Sequence, residues 1–266
     1  MRTNTVKQAL RAGQPSVGTW LSLGSITAAR FMARTGFQWL TVDIEHSLVD
    51  WETSTHIFAS VAEAGCVPLA RVPSNRHDHI KRVLDNGAMG VVVPMVNSRE
   101  EAEAAVAACL YPPRGNRSVG GSVHALNYDC SSVEYFKRAD DEIAVILQCE
   151  HIQAVEDADK IFSVPGIDAI FVGPNDLAAS MRSKDGTPPS GQATKEAMDH
   201  IIKTCKKHGV APGVHCFSAE EVNVRIAEGW QFLAISSELK LMLNGVAAEV
   251  KKLAGGVKPA SETARY

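Results

Sequence analysis

Two acids, Glu150 and Asp176, each stand just past an apolar, β-branched run. Ile143–Leu147 leads into Gln148 and Glu150, and Ile167–Val172 leads into Gly173-Pro174-Asn175-Asp176. If those runs are neighbouring parallel strands, the carboxylates converge and can share a hard divalent cation, with positions left for water and a ligand. Two carboxylates without a thiolate suit Mg²⁺ or Mn²⁺, with Co²⁺ as an option. The alternative is that each acid only caps a helix start. Val67–Ala70 ends at Arg71. A guanidinium there can donate a fork of hydrogen bonds to a keto oxygen or a carboxylate, and Gln148 is placed to hold it; the alternative is a surface arginine. Gln38–Val42 runs into Asp43, Glu45 and His46. Imidazole titrates near neutrality, so His46 facing such a pocket can move a proton, with Asp85 as its orienting carboxylate; the alternative is a satisfied core or hinge histidine. Gly173 to Leu177 reads as a tight turn into a helix, whose N–H groups can receive a ligand carboxylate beside the cation. Val210–Val214 ends at His215, a second histidine at a strand end.

A side chain just past a buried strand lies at the strand's carboxyl end, the face on which parallel α/β barrels build active sites. The chain alternates short β-rich runs with longer helical stretches, which implies a parallel sheet. The strands are expected at Val17–Leu21, Trp39–Val42, Val67–Arg71, Gly90–Val93, Ile143–Gln148, Ala169–Val172, Ala211–Val214 and Phe232–Ile235. Helices are expected after each, at Ser25–Ala33, Asp50–Ala64, His77–Asn86, Ser98–Ala108, Ala154–Phe162, Ala193–Lys207, Ala219–Ala227 and Ser237–Lys252. Ser25, Asp50, Ser98 and Ser218 can cap helix starts, and Gly36, Gly65, Gly87, Gly209 and Gly229 can end helices. Eight βα units in one composition regime predict a single α/β domain, a (β/α)8 TIM barrel spanning residues 1–254. A doubly wound open sheet is the alternative, but no GxGxxG follows the first strand. Two long segments, Tyr111–Ser132 and Met181–Gln192, read as lids or clamps if they reach the catalytic face.

The 266 residues carry a net charge of −3, with 45% hydrophobic and 21% charged residues. No long basic block is present, which disfavours nucleic acid or an anionic membrane as the main partner. Six cysteines lack CxxC spacing, which argues against a zinc knuckle or a disulfide framework and fits a reducing, cytoplasmic compartment. The polar N-terminus has no signal-peptide core, and no apolar stretch reaches the ~18 residues of a membrane span. Residues 255–266 are small and polar, and read as a tail that is disordered unless a neighbour holds it.

Taken together, several short motifs resemble the HpcH/HpaI aldolase family. They are Asp-x-Glu-His at 43–46, Arg71, Pro94-Met95, Pro-Pro-x-Gly-x-Arg at 112–117, Gln-x-Glu at 148–150 and Gly-Pro-x-Asp-Leu at 173–177. The likeness runs from about Val17 to Leu243. It implies a metal-dependent class II aldolase that reversibly cleaves a 4-hydroxy-2-oxo acid into pyruvate or a related 2-oxo acid and an aldehyde, through a metal-stabilised enolate. By position it implies Glu150 and Asp176 as metal ligands, and His46 as catalytic histidine with Asp85 as its partner. Arg71 would contact the keto oxygen, Gln148 would line the pyruvate site, and Gly173, Asn175 and Asp176 would receive the carboxylate. It further implies a homo-oligomer, a hexamer built as a trimer of dimers with the last helix exchanged. Ile44, Ser118 and His215 depart from residues common in the family, and His215, at a place that is apolar in some members, is taken as a substrate contact. No lysine falls at an expected strand end, so a Schiff base is not expected. The rivals are a citrate lyase β-like lyase acting on an acyl-CoA and a non-catalytic oxo-acid-binding barrel.

Overall fold

In the computed structural model, which describes residues 1–253, eight parallel strands close into a barrel in the order β1 to β8. They are β1 (Ser16–Leu21), β2 (Trp39–Asp43), β3 (Val67–Arg71), β4 (Gly90–Val93), β5 (Ala144–Gln148), β6 (Ala169–Val172), β7 (Ala211–Cys216) and β8 (Phe232–Ser237). The strands are short and almost wholly buried because each is covered by the barrel interior on one side and by helices on the other. Every expected strand is present. The main differences are at β7 and β8, which run two residues further than the sequence pattern indicates.

A helix α1 (Thr5–Arg11) precedes β1, and α2 (Ile26–Met32), α3 (Trp51–Glu63), α4 (His77–Asp85) and α5 (Arg99–Cys109) follow β1 to β4. Between α5 and β5 come α6 (Val123–Asn127) and α7 (Ser132–Glu142). The remaining helices are α8 (Ile152–Glu156), α9 (Ala158–Phe162), α10 (Pro174–Ser180), α11 (Gly191–His208), α12 (Ala219–Glu228) and α13 (Glu238–Val250). The capping serines behave as expected, since Ser25, Ser98 and Ser218 accept from backbone N–H groups three residues on. Ser98 and Glu101 complete a reciprocal capping box.

The first helix was not legible in the polar N-terminal sequence. It lies across the lower end of the barrel, where Val6 and Leu10 are buried and Asn4 Nδ2 donates to the carbonyls of Met89 and Glu142. Gln231 Nε2, just before β8, donates to the Leu10 carbonyl. Close packing fixes the interior too. Gly18 lies under Trp39, where a Cβ would stand 2.1 Å from the indole, and Trp39 stacks on Phe232 at 4.4 Å. The expectation that Tyr111–Ser132 is a lid is corrected. The segment leaves α5 on the side opposite the strand carboxyl ends and runs along the outside of α4, with Asn116 O 3.0 Å from His77 Nε2 and Ser118 Oγ 3.1 Å from Lys81 Nζ. None of its residues, nor of Met181–Gln192, lines the pocket described below.

The six cysteines are free and five are buried. No helix among the described residues is long and apolar enough to cross a membrane. The expected tail, 255–266, lies outside the described residues.

Candidate active site

At the carboxyl end of the barrel a cavity of 380 Å³ brings together residues from seven of the eight strand ends and from α13. Trp20, Asp43, His46, Arg71, Gln148, Glu150, Gly173, Asn175, Asp176 and His215 all line it, and with them Phe171, Ser237 and Lys240.

Glu150 stands two residues beyond β5 and is only 4% exposed. It does not cap a helix, because His151 is the residue that caps α8. Its Oε1 accepts from the backbone N–H of Met95 at 2.9 Å, and its Oε2 from Gln148 Nε2 at 2.6 Å. Met95 reaches it from the left-handed region, at φ 54°, a conformation that costs a residue with a side chain of order 1–3 kcal/mol. Gly173 separates Glu150 from Asp176. A Cβ on Gly173 would stand 2.8 Å from Glu150 Oε2 and 3.7 Å from Asp176 Oδ2, so the missing side chain opens one small space to both carboxylates. Among the described residues no lysine, arginine or histidine forms an ion pair with either acid. Burial, followed by the charges of Asp176 and Glu45, pushes the Glu150 carboxyl up to about 7.

Those observations fit a divalent cation. Oxygen donors converge, a buried acid forms no ion pair among the described residues, and Gln148 Oε1 is buried without a partner. No group of three or more His, Cys, Asp or Glu side chains gathers among the described residues, so an ion here would take two protein carboxylates and keep open positions.

Arg71, the last residue of β3, is held otherwise than expected. Its Nε and Nη2 donate to the two oxygens of Asp43 at 2.9 and 2.6 Å, a fork that locks the guanidinium. Asp43 is the register partner of Arg71 across β2 and β3. Gln148 instead orients Glu150. Asp43 also accepts from the N–H groups of Glu45 and His46, which shapes the turn after β2. His46 stands at the rim with its side chain 67% exposed and its Nε2 3.8 Å from Glu45. Burial, offset in part by Arg71 and His46, raises the Glu45 carboxyl above the ordinary range.

Asp85 does not meet His46 within one chain. It is the last residue of α4, which runs antiparallel to the strands and so carries it away from the rim. There it accepts from Arg117 Nη2 at 2.7 Å, and its carbonyl meets His124 Nδ1 at 3.1 Å. Asn175 and Asp176 fall in the first turn of α10, after Gly173 at its N-cap and Pro174 at its first position. His215 lies in β7 and accepts from Trp20 Nε1 at 3.0 Å. Sequence reasoning missed five of these lining residues, Trp20, Asp43, Phe171, Ser237 and Lys240. Trp20 reads as core, Asp43 was passed over for its neighbours, and Lys240 lies beyond a strand that proved longer than expected.

The chain is similar to known proteins. A family model described as HpcH/HpaI aldolase/citrate lyase matches residues 16–245. The chain belongs to the HpcH/HpaI aldolase/citrate lyase family. A hydroxypyruvate/pyruvate aldolase of Paraburkholderia phytofirmans is 36% identical over 248 residues, 91% of this chain and 94% of that protein. A 4-hydroxy-2-oxo-heptane-1,7-dioate aldolase of Klebsiella pneumoniae is 34% identical, with 92% of each chain covered. Among solved structures, an HpcH/HpaI family protein of Burkholderia cenocepacia superposes with a TM-score of 0.86 at 31% identity, covering 94% of this chain and 99% of that one. The HpcH/HpaI motifs read from the sequence thus sit on a barrel of the matching kind.

Proposed function

We propose that this aldolase reversibly cleaves a 4-hydroxy-2-oxo acid into a 2-oxo acid, pyruvate or hydroxypyruvate, and an aldehyde, using a Mg²⁺ or Mn²⁺ ion held by Glu150 and Asp176. The observation that carries it is the buried Glu150, which shares its space with Asp176 and, among the described residues, forms no ion pair, Arg71 acting on it only from a distance. When bound, a divalent ion supplies Lewis-acid polarisation of a chelating keto acid.

The chain's own residues supply the rest. Asp43 occupies Nε and Nη2 of Arg71, which leaves the outer edge of the guanidinium to donate to the keto oxygen and to stabilise the negative charge that develops there. Gln148 holds Glu150 in place and offers its partnerless Oε1 to the site. The turn from Gly173 to Asp176 receives the carboxylate of the keto acid through backbone N–H groups. His46, at the rim, moves the proton at the aldehyde oxygen directly or through a water, with Glu45 as the carboxylate beside it. The names of the Paraburkholderia and Klebsiella relatives support a pyruvate-type donor.

A lyase acting on an acyl-CoA would need a basic surface for the nucleotide, and among the described residues the lysines and arginines lining the cavity are Arg71 and Lys240 alone. The exposed apolar residues of α13, Leu241, Met242, Leu243 and Val246, support a homo-oligomer in which that helix packs on a neighbouring copy. A hexamer and a cytoplasmic setting complete the reading. The test is a cleavage and condensation screen over 2-oxo acids and aldehydes with Mg²⁺ or Mn²⁺ and a chelator control. Turnover should vanish on chelation and return with the ion. His46→Ala should cut cleavage by about 10²–10⁴-fold, the usual reach of general acid–base catalysis, while ion binding persists. Full turnover after demetallation, or an unimpaired His46→Ala enzyme, would refute the reading.

A further inference from the structure

The cavity has a second end that the keto-acid contacts leave unused. Its wall is built by Trp20 and His215, with Lys240 of the first turn of α13 above them. Trp20 Nε1 donates to His215 Nδ1 at 3.0 Å. Indole N–H is a donor only, so Nδ1 must offer a lone pair and the imidazole proton sits on Nε2. A proton on Nδ1 would set two donors against each other. His215 is therefore a neutral donor with a fixed tautomer. Burial, then the charges of Lys240 and Arg71, push its pKa down to about 4, which agrees with that geometry. Trp20 is itself clamped, with the Arg71 guanidinium 4.8 Å from its ring and the Phe171 ring 5.5 Å away. The Lys240 ammonium lies 5.4 Å from the Phe217 ring and forms no ion pair among the described residues.

An ammonium without an acid partner and a fixed N–H donor thus share one wall of a pocket whose opposite side is acidic. Glu150, Asp176, Arg71 and the Gly173 turn already answer every polar group of a 2-oxo acid. We infer that His215 and Lys240 form the acceptor end of the pocket and select an aldehyde that carries a carboxylate over an uncharged aldehyde of the same length. Lys240 pairs with the carboxylate, and His215 Nε2 donates to one of its oxygens. Such charge-assisted bonds are roughly twice as strong as neutral ones, and an uncharged aldehyde gains neither. Trp20 acts through His215 as a positioning residue. The inference rests on the aldolase reading of the same pocket.

The experiment separates the two. Hydrogen–deuterium exchange at the methyl group of pyruvate, in the ion-supplemented chain without aldehyde, tests the aldolase reading alone, and absence of exchange counts against that reading. With exchange established, kcat/KM for condensation is compared for an aldehyde ending in a carboxylate and for its methyl ester. A preference of about tenfold or more for the carboxylate is expected, equivalent to one good charged contact. Lys240→Met and His215→Leu should each lower that preference by about the same factor, mainly through KM, and Lys240→Arg should keep it. Lys240 is a partly exposed helix residue, so its variants remain informative if His215→Leu does not fold. A wild-type chain indifferent to the carboxylate, or variants that retain the preference, would overturn the inference. So would covalent trapping of Lys240 by pyruvate and borohydride, which would make it a nucleophile.

Discussion

Glu150 and Asp168 are buried acids at opposite ends of the same pair of strands, and they are treated in opposite ways. Asp168, just below β6, lies 3.0 Å from Lys7 Nζ and 3.8 Å from Arg11, and accepts from the Val145 N–H at 2.9 Å. Its charge is answered from within the chain. Glu150, just above β5, has two hydrogen-bond donors and, among the described residues, no ion pair, with other acids nearby and Arg71 only partly offsetting them. Burial of a carboxylate does not by itself mark a functional site, since both are buried. What separates the two acids is the counter-charge.

The sharpest way to break that contrast is to neutralise each acid in turn. Glu150→Gln should lower cleavage at least about 10²–10³-fold, the loss typical of removing one charge-stabilising group. The melting temperature of the ion-free variant should hold or rise, because an unpaired buried charge has gone. Asp168→Ala should do the reverse. Lys7 would be left buried with only the Ile143 carbonyl to receive its ammonium and no counter-charge, at a cost of about 3–5 kcal/mol by urea unfolding, while turnover per folded active site changes little. If the two variants lose activity and stability alike, the distinction between them fails.

A pH series sharpens the same point. Folded Glu150 keeps its proton to about 7, above the ordinary value of 4.5 that the unfolded chain has, so the folded state binds more protons in between. Stability of the ion-free protein should therefore fall as pH rises from about 4.5 through about 7, by on the order of 3 kcal/mol. Added Mg²⁺ or Mn²⁺ binds the ionised form and should flatten the slope. Denaturant titrations at several pH values, with and without the ion, read it directly. The smallest effect is expected from Gly173→Ala. Its φ of −89° accepts a side chain, yet the new methyl would press on Glu150 Oε2. Ion affinity measured by calorimetric titration should weaken by about tenfold, with stability close to wild type.

The barrel was legible because each strand is an apolar run between breakers and several of the longer helices announce a cap. Glu150, Asp176, Arg71, His46 and His215 were legible because each interrupts or ends such a run. What the sequence concealed depends on register and on distance along the chain. Asp43 locks Arg71 because the two are partners across β2 and β3, and spacing alone does not supply that pairing. Gln148 looked free to hold Arg71, but its amide lies against Glu150, two residues away on the same segment. Asp85 was assigned to His46 by likeness, and the direction of α4 sends it to Arg117. Lys240 entered the pocket because β8 continues through Ser236, in the left-handed region at φ 53°, beside an irregularity in its pairing with β1. The helix α1 was missed because only Val6 and Leu10 give it an apolar side, too few to form a pattern.

That small N-terminal helix has a consequence for stability. Asn4 ties it to the carbonyls of Met89 and Glu142, Gln231 to the carbonyl of Leu10, and Lys7 lies 3.0 Å from Asp168 below β6. Undocking of that one short segment would bare Val6 and Leu10 and strip the foot of the barrel of a counter-charge.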